Sequence, residues 1–472
     1  MASLCTSNVT SGFIDLATFD ELEKYMYGGP DATAYFVRET RKATWFTQVP
    51  VVLSRASGNP GFDTEWSVSI SRAGDYLLAT WLRLTTPIIT PGATLQANNN
   101  LRIRWTRNFM HNLIRECCIT FNDLVAARFD NYHLDFWTAF TVPAGKRCGY
   151  NNMIGNFGDL TDPHSAFPPP VQSAGTTIPA FTLNLPLPFF FSRDSGVALP
   201  TAALPYNDMR INFSFRNWTE LLIVDDVSAA ALDGPTRYSR PAGTEDVAGT
   251  PTLTNVQVWA NYAIVSNDER KRMACAPRDI LIEQVQTAPR QTFSPITDGT
   301  PRYDIRFSHA IKVFFFGARN NSVQSQWSNY TSGSPVPSLQ AVNYNPSGAT
   351  DPILQTSVIY ENTNRISQMG SDYFSLVNPW FHAPVIPLET GYHMYSYSLD
   401  FICLDPMGST NYGKLTNVSI VPEASADAIS AAGANGDTGT GANFPQSWDF
   451  VTTAVNNNII RISGGALGFP VL

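Results

Sequence analysis

Histidine and cysteine are the side chains best suited to metal or nucleophilic chemistry, and here neither is spaced for it. The six histidines, His111, His133, His164, His309, His382 and His393, contain no HExxH and no HxH pair. A metal site of the cupin type needs a close histidine pair plus a third ligand. His309, in an alternating run after Phe307, reads as a hydrogen-bonded histidine in a sheet. The six cysteines, Cys5, Cys117, Cys118, Cys148, Cys275 and Cys403, form no CxxC and are too few in 472 residues for a disulfide framework. Cys117 and Cys118 are adjacent in a strand-like run, so they point to opposite faces. Reduced, mostly buried thiols are expected, in keeping with an intracellular site of synthesis. Gly408-Ser409-Thr410-Asn411-Tyr412-Gly413-Lys414-Leu415 has phosphate-loop spacing. Leu415 stands where the magnesium-binding hydroxyl is required, and the following residues through Val421 alternate as a strand rather than opening a helix. No GxSxG nucleophile elbow occurs. A glycosidase needs only two carboxylates, which spacing cannot exclude. No catalytic residue, metal or cofactor is assigned.

The elements that would have to position such groups are mostly strands. Trp66, Val68 and Ile70 alternate with serines, Arg72-Ala73-Gly74-Asp75 makes a turn, and Tyr76, Leu78, Leu82 and Leu84 continue, which predicts a hairpin with one buried face. Leu101, Ile103 and Trp105 alternate with Arg102 and Arg104, as Tyr303, Ile305 and Phe307 do with Asp304 and Arg306. Period two with opposite polarity predicts half-buried antiparallel strands. Phe189–Phe191 and Phe314–Phe316 read as core or interface strand rather than as binding platforms. With 33 prolines and 31 glycines between the runs, the pattern is that of β-sandwiches or barrels. The clearest helix is N-terminal. Thr18 and Glu21 have capping-box spacing, Phe19, Leu22 and Met26 follow at helical intervals, and Gly28-Gly29 stops it. Residues 144–180, including Pro168-Pro169-Pro170, and residues 423–443 read as long surface loops.

Composition narrows the class. A chain of 472 residues exceeds one core, and 43% hydrophobic residues supply two. Charged residues are 15%, against roughly 25% in soluble domains. Low charge with 12% aromatics points to extensive self-association. A net charge of −8 argues against nucleic acid as the main partner. The basic clusters Arg38–Lys42 and Arg270–Arg272 read as solvated loops. The N-terminal residues lack a basic region followed by an apolar run, so no signal peptide is expected, and no apolar stretch reaches membrane-spanning length. The sequons at Asn8, Asn212, Asn217, Asn320, Asn329 and Asn417 are then chance occurrences. A faint duplication relates Ile119–Pro143 to Val358–Pro384, aligning Phe121 with Tyr360, Tyr132 with Tyr373, Phe140 with Phe381 and Pro143 with Pro384. It places one copy in each half, with a seam near Arg216-Asn217-Trp218.

Several segments carry a family resemblance. They are SGFIDLATFDELEKYMYGG (Ser11 to Gly29), PLPFFFSRDSGVALPTAALPYND (Pro186 to Asp208), DILIEQVQTAPR (Asp279 to Arg290), DIRFSHAIK (Asp304 to Lys312), MGSTNYGKLTN (Met407 to Asn417) and the final GFPVL (Gly468 to Leu472). In this order they resemble the major capsid proteins of iridoviruses, and more broadly of large cytoplasmic DNA viruses, with invertebrate iridescent viruses nearest. The resemblance implies an all-β chain: residues 1–29 as an N-terminal helical arm, 30–217 as a first jelly-roll sandwich and 218–472 as a second. It implies a non-enzymatic subunit that trimerises into pseudo-hexagonal blocks and tiles an icosahedral shell. Its partners would be itself, minor capsid and penton proteins, and an internal viral membrane, without direct contact to DNA. Virions, assembled in the infected cell's cytoplasm, would be its location. Phe13, Ile14, Phe19, Leu22 and Met26 of the arm are candidate assembly contacts, the alternative being that the helix caps its own first domain. A carbohydrate-binding attachment sandwich and a secreted carbohydrate-active enzyme are the competing classes.

Overall fold

The computed structural model describes residues 2–98, 101–161, 163, 177–226, 239–332, 351–433 and 446–470. His164, Pro168-Pro169-Pro170 and residues 434–443 of the expected loops lie outside them. Two compact units result, Met1–Trp45 and Phe46–Leu472.

The larger unit holds the expected tandem jelly rolls. The first uses β1 (Phe46–Val52), β2 (Glu65–Ser69), β3 (Tyr76–Thr85), β4 (Ile114–Phe121), β5 (Leu124–Phe129), β6 (Thr182–Pro186), β7 (Met209–Phe215) and β8 (Thr254–Val265). The second uses β9 (Arg278–Thr287), β10 (Tyr303–Ile305), β11 (Ala310–Asn320), β12 (Ile353–Tyr360), β13 (Thr363–Gly370), β14 (His393–Ser396), β15 (Val418–Ala424) and β16 (Trp448–Ser463). In the first half the hydrogen-bonded orders are β1-β8-β3-β6 and β2-β7-β4-β5. In the second they are β9-β16-β11-β14 and β10-β15-β12-β13, the same arrangement strand for strand. Every pairing is antiparallel. Each half thus stacks two layers, each built on four principal strands with shorter strands added at edges of three of them, over an apolar interior, as in other double-sheet jelly rolls.

The faint repeat is this duplication seen locally. Asn122 and Asp123 have φ of 49° and 65°, and Glu361 and Asn362 have 49° and 65°. Both pairs are two-residue hairpin turns with positive φ at both central positions, the kind that matches strand twist. Each hairpin then enters a helical segment: α1 (Asn131–Thr141) after β5, and Tyr373–Val377 continued by α2 (Asn378–His382) after β13. Pro143 and Pro384 follow.

Several expectations change. The run through residues 66–84 is not a hairpin, because β2 pairs with β7 and β3 with β8, so the Arg72–Asp75 turn crosses between the two layers. Period-two patterning is the same in both cases and cannot tell them apart. A register shift opposite Asn261 and Tyr262 also makes Leu77, not Leu78, the buried residue at the start of β3. Residues 144–161 are not loop but helices Ala144–Ile154 and Gly158–Thr161, which bury Ile154 and Leu160. Too few apolar residues lie there to show a helical period. The seam near Asn217 falls within first-half structure: Leu222–Asp226 pairs with Leu101–Trp105, and β8 is central in the first half's layer. Arg216 is buried and donates to the Asn112 and Ile114 carbonyls. As expected, Tyr303, Ile305 and Phe307 are buried, while Asp304 and Arg306 are exposed.

The smaller unit carries helices Ala2–Ala17 and Glu21–Met26. The second is capped at Asp20, two residues later than Thr18. The Asp20 carboxylate accepts from the Glu21 backbone and Glu23 accepts from the Asp20 backbone, whereas the Thr18 hydroxyl donates back to the Asp15 carbonyl at 2.6 Å. The first helix left no trace in the pattern, since Ser, Thr, Val and Gly dilute its propensity.

The halves meet where α1 lies against β11. Alternate residues of β11 serve different cores: Phe314, Phe316 and Ala318 fill the second sandwich, and Val313 and Phe315 join the core shared with the first half. The Phe314–Phe316 run is therefore buried on both faces. Gly317 lies under the Phe136 ring, and a Cβ there would come within 2.9 Å of the Gly391 carbonyl and 3.1 Å of Phe136. Gly317→Val should cost about 1–3 kcal/mol by overpacking, and Phe136→Ala about 3–5 kcal/mol by cavity formation. Urea unfolding of the two variants against the parent chain checks both figures.

Candidate assembly surfaces and the buried seam

Two buried polar clusters hold the two halves together. Asp135, on α1, is buried. It accepts from His111 Nδ1 at 2.8 Å, from the Ser328 hydroxyl at 3.0 Å and from the Tyr330 hydroxyl at 3.1 Å. His111 Nε2 lies 2.6 Å from the Tyr150 hydroxyl. Burial first, then the nearby Asp135 charge, raises the Tyr150 pKa, so the hydroxyl keeps its proton. Serine, histidine and aspartate are all present, but the serine bonds to the aspartate rather than to the imidazole. A nucleophilic triad requires the serine on histidine's free nitrogen. What this cluster does is join first-half helices to the Ser328–Tyr330 segment of the second half.

A second buried group spans the same seam. Arg193 of the first half and Lys312 of β11 both ion-pair with Glu283 of β9. Lys312 also donates to the Cys403 carbonyl at 2.8 Å. The Arg193 guanidinium lies 4.1 Å above the Trp137 ring centroid. Trp327 sits between Arg216 at 3.8 Å and Arg319 at 4.1 Å, one from each half, and its indole N–H donates to the Glu220 carbonyl. Burial lowers the Arg216 pKa to about 10. A buried charge left without its partner is expensive, so these sets fix how one half is seated on the other.

Among the described residues no group of His, Cys, Asp and Glu is placed to hold a metal, and no helix is long and apolar enough to cross a membrane. A cleft of about 580 Å³, open and polar, is lined by β4, β5 and β9 together with His309. His309 stands at a bend with φ of 64°, not inside a strand as expected, because the chain turns there from β10 into β11. Gly408–Leu415 includes the two-residue strand Thr410–Asn411 and leads into β15, as its sequence required. Phe189, Phe190, Phe191, Phe314, Phe315 and Phe316 are all buried. Of the thiols, Cys117 is buried and Cys118 half-buried on the opposite face, but Cys148 and Cys275 are exposed, so mostly buried thiols is not what the fold produces. Both exposed cysteines lie on polar helices that the strand-based reading did not include. Arg270 is likewise helical, and its guanidinium grips Asp75 at 2.7 Å instead of standing free in a loop.

Large apolar side chains are left uncovered in both units. Phe13, Ile14, Phe19, Leu22 and Met26 are all exposed within the N-terminal unit, as are Val9, Leu16 and Tyr25. In the larger unit Trp380 and Phe381 of α2 are 72% and 71% exposed. Phe381 is the counterpart of Phe140 in the repeat, yet Phe140 is buried and Phe381 bare. Exposed aromatic patches of this kind mark interaction sites.

His133, on α1, is buried, and burial lowers its pKa to about 3 from 6.5. Within that window the unfolded chain binds a proton that the folded one does not, so this group makes stability rise with pH. Asp130, which caps α1, is raised by burial from 3.8 to about 6. There the folded chain holds the proton, so its contribution is lost as pH rises. Relative to the parent, His133→Phe should tilt stability downward with increasing pH between about 4 and 6, and Asp130→Asn should tilt it upward; urea midpoints across that range measure both.

Residues 34–265 match the family described as major capsid protein N-terminus, and residues 269–468 match the large eukaryotic DNA virus major capsid protein. The chain is 65% identical over 470 residues to the major capsid protein of Costelytra zealandica iridescent virus, covering 100% of both chains. It is 65% identical over 471 residues to that of Invertebrate iridescent virus 6, again with full coverage. The protein of Lymphocystis disease virus 1 is 50% identical over 474 residues, with 100% of each covered. Among solved structures, the PBCV-1 virus capsid superposes with a TM-score of 0.70 at 19% identity, covering 93% of this chain and 100% of that one. The Faustovirus major capsid protein gives 0.69 at 14% identity, covering 92% and 93%.

Proposed function

From a chain that belongs to the major capsid proteins of large eukaryotic DNA viruses, we infer a structural subunit of the virion shell that closes into homotrimers of pseudo-hexagonal outline. The carrying observation is the twice-repeated strand order, β1 to β8 and β9 to β16, in one compact unit. Three chains then supply six similar sandwiches, and a near-hexagonal block tiles an icosahedral surface by lateral contacts. Each contact is weak, and their number makes the shell stable. Closed symmetry also protects sheet edges from uncontrolled pairing.

The role is structural, not enzymatic, and the virion is where the protein acts. Minor capsid and penton proteins are the partners at shell vertices and seams, and assembly belongs to the infected cell's cytoplasm. An internal viral membrane lies between shell and genome, so an acidic chain with a net charge of −8 need not meet DNA. We place the division between sandwiches at residues 266–277, after β8 and before β9. The N-terminal arm, through Phe13, Ile14, Phe19, Leu22 and Met26, contacts a neighbour or the inner face of the shell.

Light scattering after gel filtration tests the trimer: three copies of 51.9 kDa give about 156 kDa, with triangular or hexagonal outlines in negative stain. A stable monomer at every concentration would refute it. Deleting residues 1–29 should leave trimers that no longer assemble into shells; shells of normal yield would remove the arm from assembly, and misfolded monomers would make it part of the first domain.

A further inference from the structure

The duplication specifies which faces meet between copies, an inference that rests on the trimer reading above. The two halves can be aligned residue by residue at the seam. In β3 the bulge leaves Leu78 as the extra residue against β8, and in β11 it leaves Lys312 as the extra residue against β16. Trp81 and Phe315 are each three residues beyond that bulge, on the outer face of their layer. In the helices that follow β5 and β13, Phe140 and Phe381 each stand three residues before the closing proline.

Within one chain, the first half's helix covers the second half's layer. Phe140 is fully buried and stacks on Phe315 with ring centroids 5.5 Å apart. The reciprocal pair is empty-handed. Phe381 is 71% exposed, and its neighbour Trp380 72%. Trp81 lies half-exposed on the outer face, stacked on Trp259 at 6.2 Å. The edge strands tell the same story: β9 carries buried Ile280 and Ile282, whereas its counterpart β1 is exposed at six of its seven positions.

We propose that Trp380 and Phe381 dock on the Trp81–Trp259 face of a second copy of this chain, reproducing between copies the Phe140–Phe315 contact made within one. The occupant is a second copy because the missing partner of each surface is the other surface, and one chain already shows them joined. The contact is heterologous, second half to first half, and such contacts close into rings when the rotation permits. Its aromatic composition, with exposed Arg83 beside it on the same face, is that of an interface centre rather than a rim.

The test uses the full chain carrying a benzophenone amino acid at position 381, mixed as isotope-labelled and unlabelled copies. Irradiation should link position 381 to peptides containing Trp81 or Trp259 of the other copy. W380S/F381S should shift the particle from about 156 kDa to the 51.9 kDa monomer with an unchanged circular dichroism spectrum. W81S, altered on the opposite surface, should do the same, which guards against a folding defect in either variant. Trimers that survive both sets of substitutions, or cross-links confined to other surfaces of an intact trimer, overturn this docking face and leave the trimer standing. A parent chain that is monomeric throughout overturns the trimer, and this face with it.

Discussion

The aromatic contact between α1 and β11 is the interaction on which the rest of the molecule depends. A jelly roll ordinarily buries one face of each layer and wets the other. Here Phe136, Trp137 and Phe140 cover the outer face of the second sandwich, with Phe136–Tyr330 and Trp137–Phe401 centroids at 5.2 and 5.7 Å. That turns β11 into a strand buried on both sides, and two sandwiches into one rigid body of protein. Packed interiors tolerate little displacement, so the angle between the sandwiches is set by this jigsaw. A subunit that must repeat in a lattice needs that angle to be invariant.

Polar groups refine the same seam. Hydrophobic contact alone is weakly directional, and several seatings of a helix on a flat layer could bury similar area. Asp135 with its hydroxyl and imidazole donors, and Glu283 between Arg193 and Lys312, admit one seating only. Any other would strand a buried charge. His111, Asp135 and Glu283 thereby serve orientation.

Much of the architecture was readable without coordinates. Alternation at Tyr303, Ile305 and Phe307 matched the buried face, and the faint likeness of Ile119–Pro143 to Val358–Pro384 proved to be hairpin, helix and proline in equivalent places. These are local or periodic features, and strand periodicity follows from backbone geometry alone. What differs has two sources, partners distant in sequence and helices without an apolar stripe. The run from Trp66 to Leu84 looked like a hairpin because pairing partners distant in sequence leave no local mark. Nothing local near Asn217 shows that Arg216 is buried against first-half carbonyls. Helix Ala144–Ile154 was missed because its surface is almost wholly polar.

By itself the sequence determined the class: an all-β, charge-poor, duplicated chain with an apolar N-terminal segment and without metal-ligand, nucleophile-elbow or phosphate-loop spacing. Those properties depend on composition and on periods of a few residues. Tertiary structure decided which copy of each repeated element is covered. Phe140 and Phe381 occupy like positions in like motifs, yet one is buried on Phe315 and the other faces water. Burial is a property of what lies opposite, and what lies opposite Phe140 is a strand some 175 residues away in the chain, brought there only by the fold.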